Sequence, residues 1–557
     1  MLHGVGEGFD FAHDRIREVV YAGLLPPRRK LLHGDVAVAL EALTGGALDP
    51  PAGALGAHYR HAEVPRKAQV WLTTAGDMAA RKYASGPANH YYEAALALAD
   101  NPLDRASLHE RIGDIHMLQW SGDAGGIHHR RALEMWHAAG APDASIGARL
   151  YAKLAEAPTR WRGAFKTPPP EGDVIGWIDA GLELLRHEEP SLEKARLLMA
   201  RAALPNLTGR RDEAELRAAR ASAEEALPIM ETVGTARDVS AVLDAIGNVR
   251  MNLADYPGAL TCHLRRRDLG PRIEDRAELI DIGCMLSQAY SALGRYADAV
   301  REAQAAADLG EIGLGGWHVH ALLWRTWAHF AGDQWDDAAQ SFEDFLRVWE
   351  SYDRIYQTFV GELFLILAVV SARRGEEEKA SALARQAQDY TVRRQLHLPA
   401  LLLMAQGRLA EARVALEELA SGRGQLIPVV QAHLAEVQAR SGDPRAAAAA
   451  EHVLALATSA GASKEIAQSH RALGISLASV GEPSTADEHF AEALRRYQAL
   501  GTRWEIAQTL RDWGRVQLES KDTTARDRGR ERLGVALTMF DELGDRRSAE
   551  DVRTMLK

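Results

Sequence analysis

The apolar positions of the chain follow two patterns in succession. From Phe9 to Leu25 the residues Phe9, Phe11, Ile16, Val19, Val20, Leu24 and Leu25 pass from strand-like alternation to helical spacing within a few positions. That is the pattern of a strand-to-helix junction inside a packed domain. Beyond about Val64 the spacing is helical to the end, and it recurs. In Arg471 to Gly501 (RALGISLASVGEPSTADEHFAEALRRYQALG) the small Gly474 is followed by Ala486, then Phe490 and Ala493. The same spacing returns in Gly76, Ala88, Tyr92 and Ala95, and in Gly247, Ala259 and Pro271. Weaker copies run through Tyr290, Ala299 and Ala306, then Ala338 with Phe342, Ala368 with Ala380, Ala412 with Leu416, and Ala435 with Ala447. Turn signals fall between them, in LGRYADA, AGDQWDDA, RGEEEKA, QGRLAEA, SGDPRAA and VGEPSTA, each with a glycine to end one helix and an acidic or small residue to begin the next.

This spacing resembles the tetratricopeptide (TPR) repeat, in which small residues let two antiparallel helices approach and large ones fill the gap between hairpins. It predicts an all-α, TPR-like α-solenoid: about ten helical hairpins stacked in a right-handed superhelix. The register is disturbed at TPPPEGD (Thr167 to Asp173), whose prolines force an extended excursion, and over 188–215; SKDTTARDRG adds a few residues to the last full repeat. The expected domains are 1–60, a junction segment, 61–190, an N-terminal set of repeats, and 191–557, the main superhelix.

Composition agrees with helix and narrows the function. The chain has 557 residues, 46% of them hydrophobic and 6% aromatic, so it has ample material for a large core. A net charge of −11 offers no electrostatic basis for direct nucleic-acid binding. Cys262 and Cys284 supply neither a disulfide framework nor a metal spacing, and the longest apolar run, LFLILAVV (Leu363 to Val370), is too short to span a bilayer. A cytoplasmic protein without membrane contact is expected.

The first hundred residues carry a longer composite signature. FDFAHDRIRE is followed by RKLLH, by HYRHA, by KAQVWLTTAGDMA and by YYEAAL. Together they resemble the junction between ATPase and TPR array in bacterial STAND-type signalling ATPases, including cyclase-associated predicted ATPases and MalT-like or LuxR-type transcription regulators. The resemblance implies a small winged-helix remnant over residues 1–60, with Ala12, His13 and Asp14 similar to the Met-His-Asp motif whose histidine approaches the β-phosphate of bound ADP. His13 would hold that phosphate only if an ATPase module is present. The chain has no GxxxxGK[ST] loop and no Walker-B strand, so it should not hydrolyse ATP, and no cofactor of its own is expected. A fragment, a split gene product or a degenerate relative would each account for that.

Catalytic and metal constellations are weak. His128 and His129 point to different faces of a helix, His109 and His116 lie two turns apart, and neither HExxH nor GxSxG occurs. A binding role is expected instead, for a protein, a peptide or a small effector. Counting positions 2, 5, 9 and 12 of each first helix gives the groove as Asp244, Asn248, Cys284, Gln288, His320, Leu323, Trp327 and Phe330, followed by Gln468, Arg471, Gln508, Arg511 and Arg515. An aromatic patch with an arginine cluster would suit a ligand with an apolar part and an anionic part. The leading reading is a non-enzymatic TPR sensor and scaffold of a STAND-type regulator. The alternatives are a stand-alone TPR adaptor docking peptide tails, and part of an ATPase or nucleotide cyclase whose P-loop half is missing from this chain. Against the adaptor, Asp244 stands where a carboxylate clamp would need lysine.

Overall fold

Among the described residues all regular structure is helical except one two-stranded hairpin, so the all-α, TPR-like solenoid predicted from the repeat is the fold. The computed structural model describes residues 2–5, 8–11, 13–44, 49–208, 212–311, 313–355, 357, 359–390, 396–422 and 427–557. They divide into two units, Met1–Met117 with Ala124–Leu150, and Leu118–Asp123 with Tyr151–Lys557.

In the first unit, antiparallel strands Leu2–Val5 and Gly8–Phe11 pair with Leu2 opposite Phe11 and Val5 opposite Gly8. Helix Asp14–Gly23 follows, so the change from strand to helix falls inside the segment whose apolar pattern changes. Its cap is His13, which is exposed and makes no side-chain capping bond; Ala12, the first member of the expected motif, lies outside the described residues. This helix buries no residue and the next, Pro26–Thr44, buries only Ala37. Val19, Leu25, Leu31 and Leu43 stay 71%, 73%, 68% and 84% exposed, apolar side chains that the unit itself does not cover. From Ala52–His61 onward the helices pack through Leu72, Ala88, Tyr92, Ala95 and Ile112.

The second unit is a succession of helix pairs. They include Ala236–Asn252 with Tyr256–Leu269, Arg276–Ala292 with Tyr296–Gly310, Gly315–Ala331 with Trp335–Ser351, Val360–Arg373 with Glu377–Ala387, Ser463–Ser479 with Pro483–Leu500, and Arg503–Leu518 with Thr523–Leu543. The proline excursion is tied down where Lys166 and Thr167 donate their backbone N–H groups to the Asp123 carboxylate at 2.8 and 3.0 Å. The 188–215 stretch holds helices Leu192–Ala202 and Leu204–Thr208 and the start of Glu213–Val233, capped by Asp212.

One contact recurs in both units. Gly56 faces Leu72, Gly76 faces Tyr92, Gly113 faces His129, Gly181 faces Leu197, Gly247 faces His263 and Gly474 faces Phe490. In each pair the large side chain lies sixteen positions after the glycine, on the next helix. A methyl group added at Gly474 would stand 2.9 Å from the Phe490 ring, and one at Gly247 would stand 2.5 Å from His263. The missing Cβ is therefore what sets the distance between the helices. Ala88, Ala259 and Ala486, twelve positions after their glycines, are fully buried for the same reason. In the last repeat the spacing stretches, with Gly514 meeting Leu533, because the SKDTTARDRG insertion lengthens the connection. Gly474→Val should therefore lower stability by about 1–3 kcal/mol through overpacking. Gly176→Ala, in a helix where an added methyl meets nothing within 4 Å, should raise it by about 0.5–1 kcal/mol. Urea denaturation of the two variants checks the pair.

Candidate ligand-binding cavity

The first helices of the pairs from Ala236–Asn252 to Arg503–Leu518 line a cavity of about 260 Å³ within the second unit. Among the described residues, second helices reach it only through their first residues, Tyr256 and Tyr296. This follows from the glycine contacts, which turn one side of each first helix toward its partner and leave another side facing the inner surface.

One part of the lining is aromatic. Trp120 stacks on His320 with ring centres 5.2 Å apart, meets Phe359 at 6.0 Å and receives the edge of Trp317 at 4.6 Å. The indole N–H groups of Trp120 and Trp161 are buried without a hydrogen-bond partner among the described residues. In another part Trp327 lies 5.8 Å from Phe330 and 5.9 Å from His397, which in turn stacks on His433 at 5.5 Å. Trp120 and Asp333, both in the lining, are held at left-handed φ values of 62° and 60°, unusual for residues with a side chain.

Two buried ionic networks brace these walls. In the first, Arg160 donates to Glu278 at 2.8 Å and to Asp244 at 3.3 Å. Arg266 donates to Asp244, Glu278 and Asp281 at 2.7, 3.0 and 2.6 Å. Burial opposes charge on all of them, but the mutual attraction prevails: it holds both guanidinium groups above their ordinary value and Asp244 and Glu278 below theirs. Asp281 is the exception, since burial and the neighbouring Asp244 push its carboxyl up to about 6. In the second network Arg471 bridges Glu505 at 2.7 Å and Glu436 at 2.9 Å, and Arg440 holds Asp512 at 2.8 Å. Lys464 donates to the Ala331 carbonyl at 2.9 Å and stands 3.6 Å from Asp333 and 3.4 Å from Glu505. Asp333 also caps the last full repeat, accepting from the N–H groups of Trp504 and Glu505 at 3.0 and 3.2 Å.

Of the residues singled out in the sequence, Asn248, Gln288, His320, Trp327, Phe330 and Gln468 all line this cavity. Phe330 and His320 are buried, whereas Trp327 is partly open. Asp244 sits behind the wall, bound by Arg266 and Arg160, and Cys284 and Leu323 are core. The expected arginine cluster is not an open one. Arg471 is 1% exposed and held by two glutamates, Arg511 is buried against Asp512, Gln508 is engaged by Arg440 and Ser548, and Arg515 lies outside the lining. Arg471 and Arg511 each meet a carboxylate on their own or a neighbouring helix, which a single-helix position count does not see. His13 belongs to the first unit and has no part in the cavity. Trp120, Trp161, Arg373, His397, His433 and Lys464 also line the cavity and fall outside the counted positions. The signal for Trp120 and Lys464 was the turn or helix-start position that a concave-face count omits.

Two outcomes follow. Trp324 is 1% exposed, so Trp324→Ala should cost about 3–5 kcal/mol, whereas Trp327→Ala should cost less than half of that; thermal denaturation compares them. His433 is held down to about 4 by burial, so the folded chain binds its proton less readily than the unfolded chain does. Its neutral form contributes fully above the unfolded value of about 6.5, and the contribution is lost as pH falls from there toward 4. Asp281 and Glu465, pushed up to about 6 and about 7 by burial, act in the opposite sense, so total stability does not isolate the effect. The Tm advantage of the wild type over His433→Gln should shrink between pH 6.5 and pH 4.

No protein-family model matches the chain, and no curated protein matches it by sequence. Among solved structures it is similar to the APC/C hetero-tetramer Cut9–Hcn1, at 15% identity over 96% of this chain and 98% of that one, with a TM-score of 0.51. It is also similar to a Rap protein complexed with competence and sporulation factor, at 13% identity over 70% of this chain and 98% of that one, with a TM-score of 0.40. Yeast Tom70 matches at 14% identity over 76% of this chain and 99% of that one, with a TM-score of 0.33. These are TPR-repeat structures, and the first likeness shows that the present chain shares their helical-repeat fold.

Proposed function

We propose that this chain is a non-enzymatic TPR sensor and scaffold that takes a peptide or a small effector into the cavity of its second unit. The observation that carries the reading is the convergence of successive first helices on one cavity lined by a partly open Trp327, unpartnered indole N–H groups of Trp120 and Trp161, and the amides of Asn248 and Gln288. A concave site with apolar walls and a few convergent polar groups is the general form of a recognition pocket. Repeat arrays use such inner surfaces to hold extended ligands.

In the finer reading the chain is the regulatory half of a STAND-type signalling or transcription regulator, with a winged-helix remnant over 1–60 and repeats over 61–190 and 191–557. The composite signature from FDFAHDRIRE to YYEAAL supports it, and so do the exposed apolar side chains of Val19, Leu25, Leu31 and Leu43, which a further module would bury. His13 would serve nucleotide only within such an assembly.

Selection of a random peptide library on the purified chain tests the reading. It predicts a consensus sequence whose affinity falls about ten-fold or more in Trp327→Ala, with Tm nearly unchanged. Selected peptides that bind Trp327→Ala and Asn248→Ala as tightly as the wild type would move the site off the inner surface. In parallel, calorimetric titration with ATP and ADP should show no micromolar binding; an affinity abolished by His13→Ala would reinstate the nucleotide site.

A further inference from the structure

The buried arginines of the second unit differ in one respect. Arg266, Arg471 and Arg511 each hold at least one carboxylate, whereas Arg373, 8% exposed at the end of helix Val360–Arg373, makes no hydrogen bond or ion pair among the described residues. Its Nε is buried without a partner. The guanidinium carbon lies over the Trp504 ring, 3.7 Å from its centre, with Trp335 at 5.1 Å and Phe330 at 5.9 Å, and the residue lines the cavity. The nearby carboxylates are already engaged: Asp333 and Glu505 by Lys464, Glu505 and Glu436 by Arg471, and Asp545 by the Trp504 indole and the Ser548 N–H. Burial depresses its basicity, and the attraction of these carboxylates does not make up the difference.

A buried cation without a hydrogen-bonded counter-charge is among the costliest features a core can retain. Its five donors are fixed in a plane that matches a carboxylate, and the rings around it exclude water and strengthen whatever bond it makes. We propose that Arg373 is the anion anchor of the cavity, binding the carboxylate of a ligand whose apolar or aromatic body packs against Trp327 and Phe330. The stacked His397 and His433, held neutral by burial, add polar ring edges without competing charge. The carboxylate can belong to a free organic acid or to the C-terminus of a peptide; both present the same two oxygens on an apolar stem. The inference rests on the reading of the cavity as a ligand site.

The test uses the full chain and four compounds: N-acetyltryptophan, its amide, and a hexapeptide ending in tryptophan with a free or an amidated C-terminus. Calorimetry should show the free acid of at least one pair binding about ten-fold or more tightly than its amide, with the preference abolished in Arg373→Met and partly kept in Arg373→Lys. Preference confined to the first pair identifies a small acid, and preference confined to the second a peptide terminus. Equal affinity of acid and amide in both pairs, or no binding of any of the four while a library-selected peptide still binds, overturns the anchor and leaves the cavity reading standing. Stability supplies a readout that needs no ligand. If Arg373 is kept for binding, Arg373→Met should match or exceed the wild-type Tm in the ligand-free chain. A fall of about 4 °C or more would make Arg373 a structural counter-charge for Asp333 and Glu505 and overturn the proposal.

Discussion

The constraint on which the rest of the structure depends is the approach of consecutive helices across a glycine. Wherever Gly76, Gly113, Gly247 or Gly474 meets Tyr92, His129, His263 or Phe490, the absence of a Cβ allows the large side chain to fill the space between the helices. Repetition of that contact at a fixed spacing makes each pair nearly the same shape, and a row of similar pairs must present the same side of every first helix to the same surface. The cavity in the second unit is the consequence. It is built by residues far apart in sequence, such as Asn248, Trp327 and Gln468, because the repeat brings equivalent positions together.

The ionic networks fit the same geometry. Arg471 lies about one repeat length from each of its partners, Glu436 and Glu505, and so joins three successive first helices into a rung. Arg266 and Arg160 do the equivalent for the wall containing Asp244, Glu278 and Asp281. Buried pairs of this kind contribute little net stability against an apolar replacement, but losing one partner leaves a charge stranded in the interior, which is strongly destabilising. Against that pattern Arg373 stands out, with rings around it and no carboxylate within bonding distance among the described residues.

Much of the fold was legible because its cause is local. Gly474, Ala486, Phe490 and Ala493 carry their meaning in their spacing, and the turn glycines Gly294, Gly375, Gly407, Gly442 and Gly481 adopt the left-handed backbone that ends a helix. In AGDQWDDA the left-handed position falls instead on Asp333, which then caps a helix far along the chain, a role no local pattern announces. The lining of the candidate cavity was half legible. Position counting found Asn248, Gln288, His320, Trp327, Phe330 and Gln468, because the inner side of a first helix is periodic. It did not foresee the carboxylate partners of Arg471 and Arg511, which lie on the same or adjacent helices, nor the place of Trp120 and Arg373 in the cavity lining, which they reach from helix ends.

The central claim is that ligand enters on the inner surface formed by the first helices. Hydrogen exchange of the full chain, with and without a peptide selected against it, tests that claim directly. The account predicts slowed exchange in the first helices Ala236–Asn252, Arg276–Ala292, Gly315–Ala331 and Ser463–Ser479, with their second-helix partners unchanged. Protection confined to the second helices, such as Pro483–Leu500, or to the helices Asp14–Gly23 and Pro26–Thr44, would contradict it.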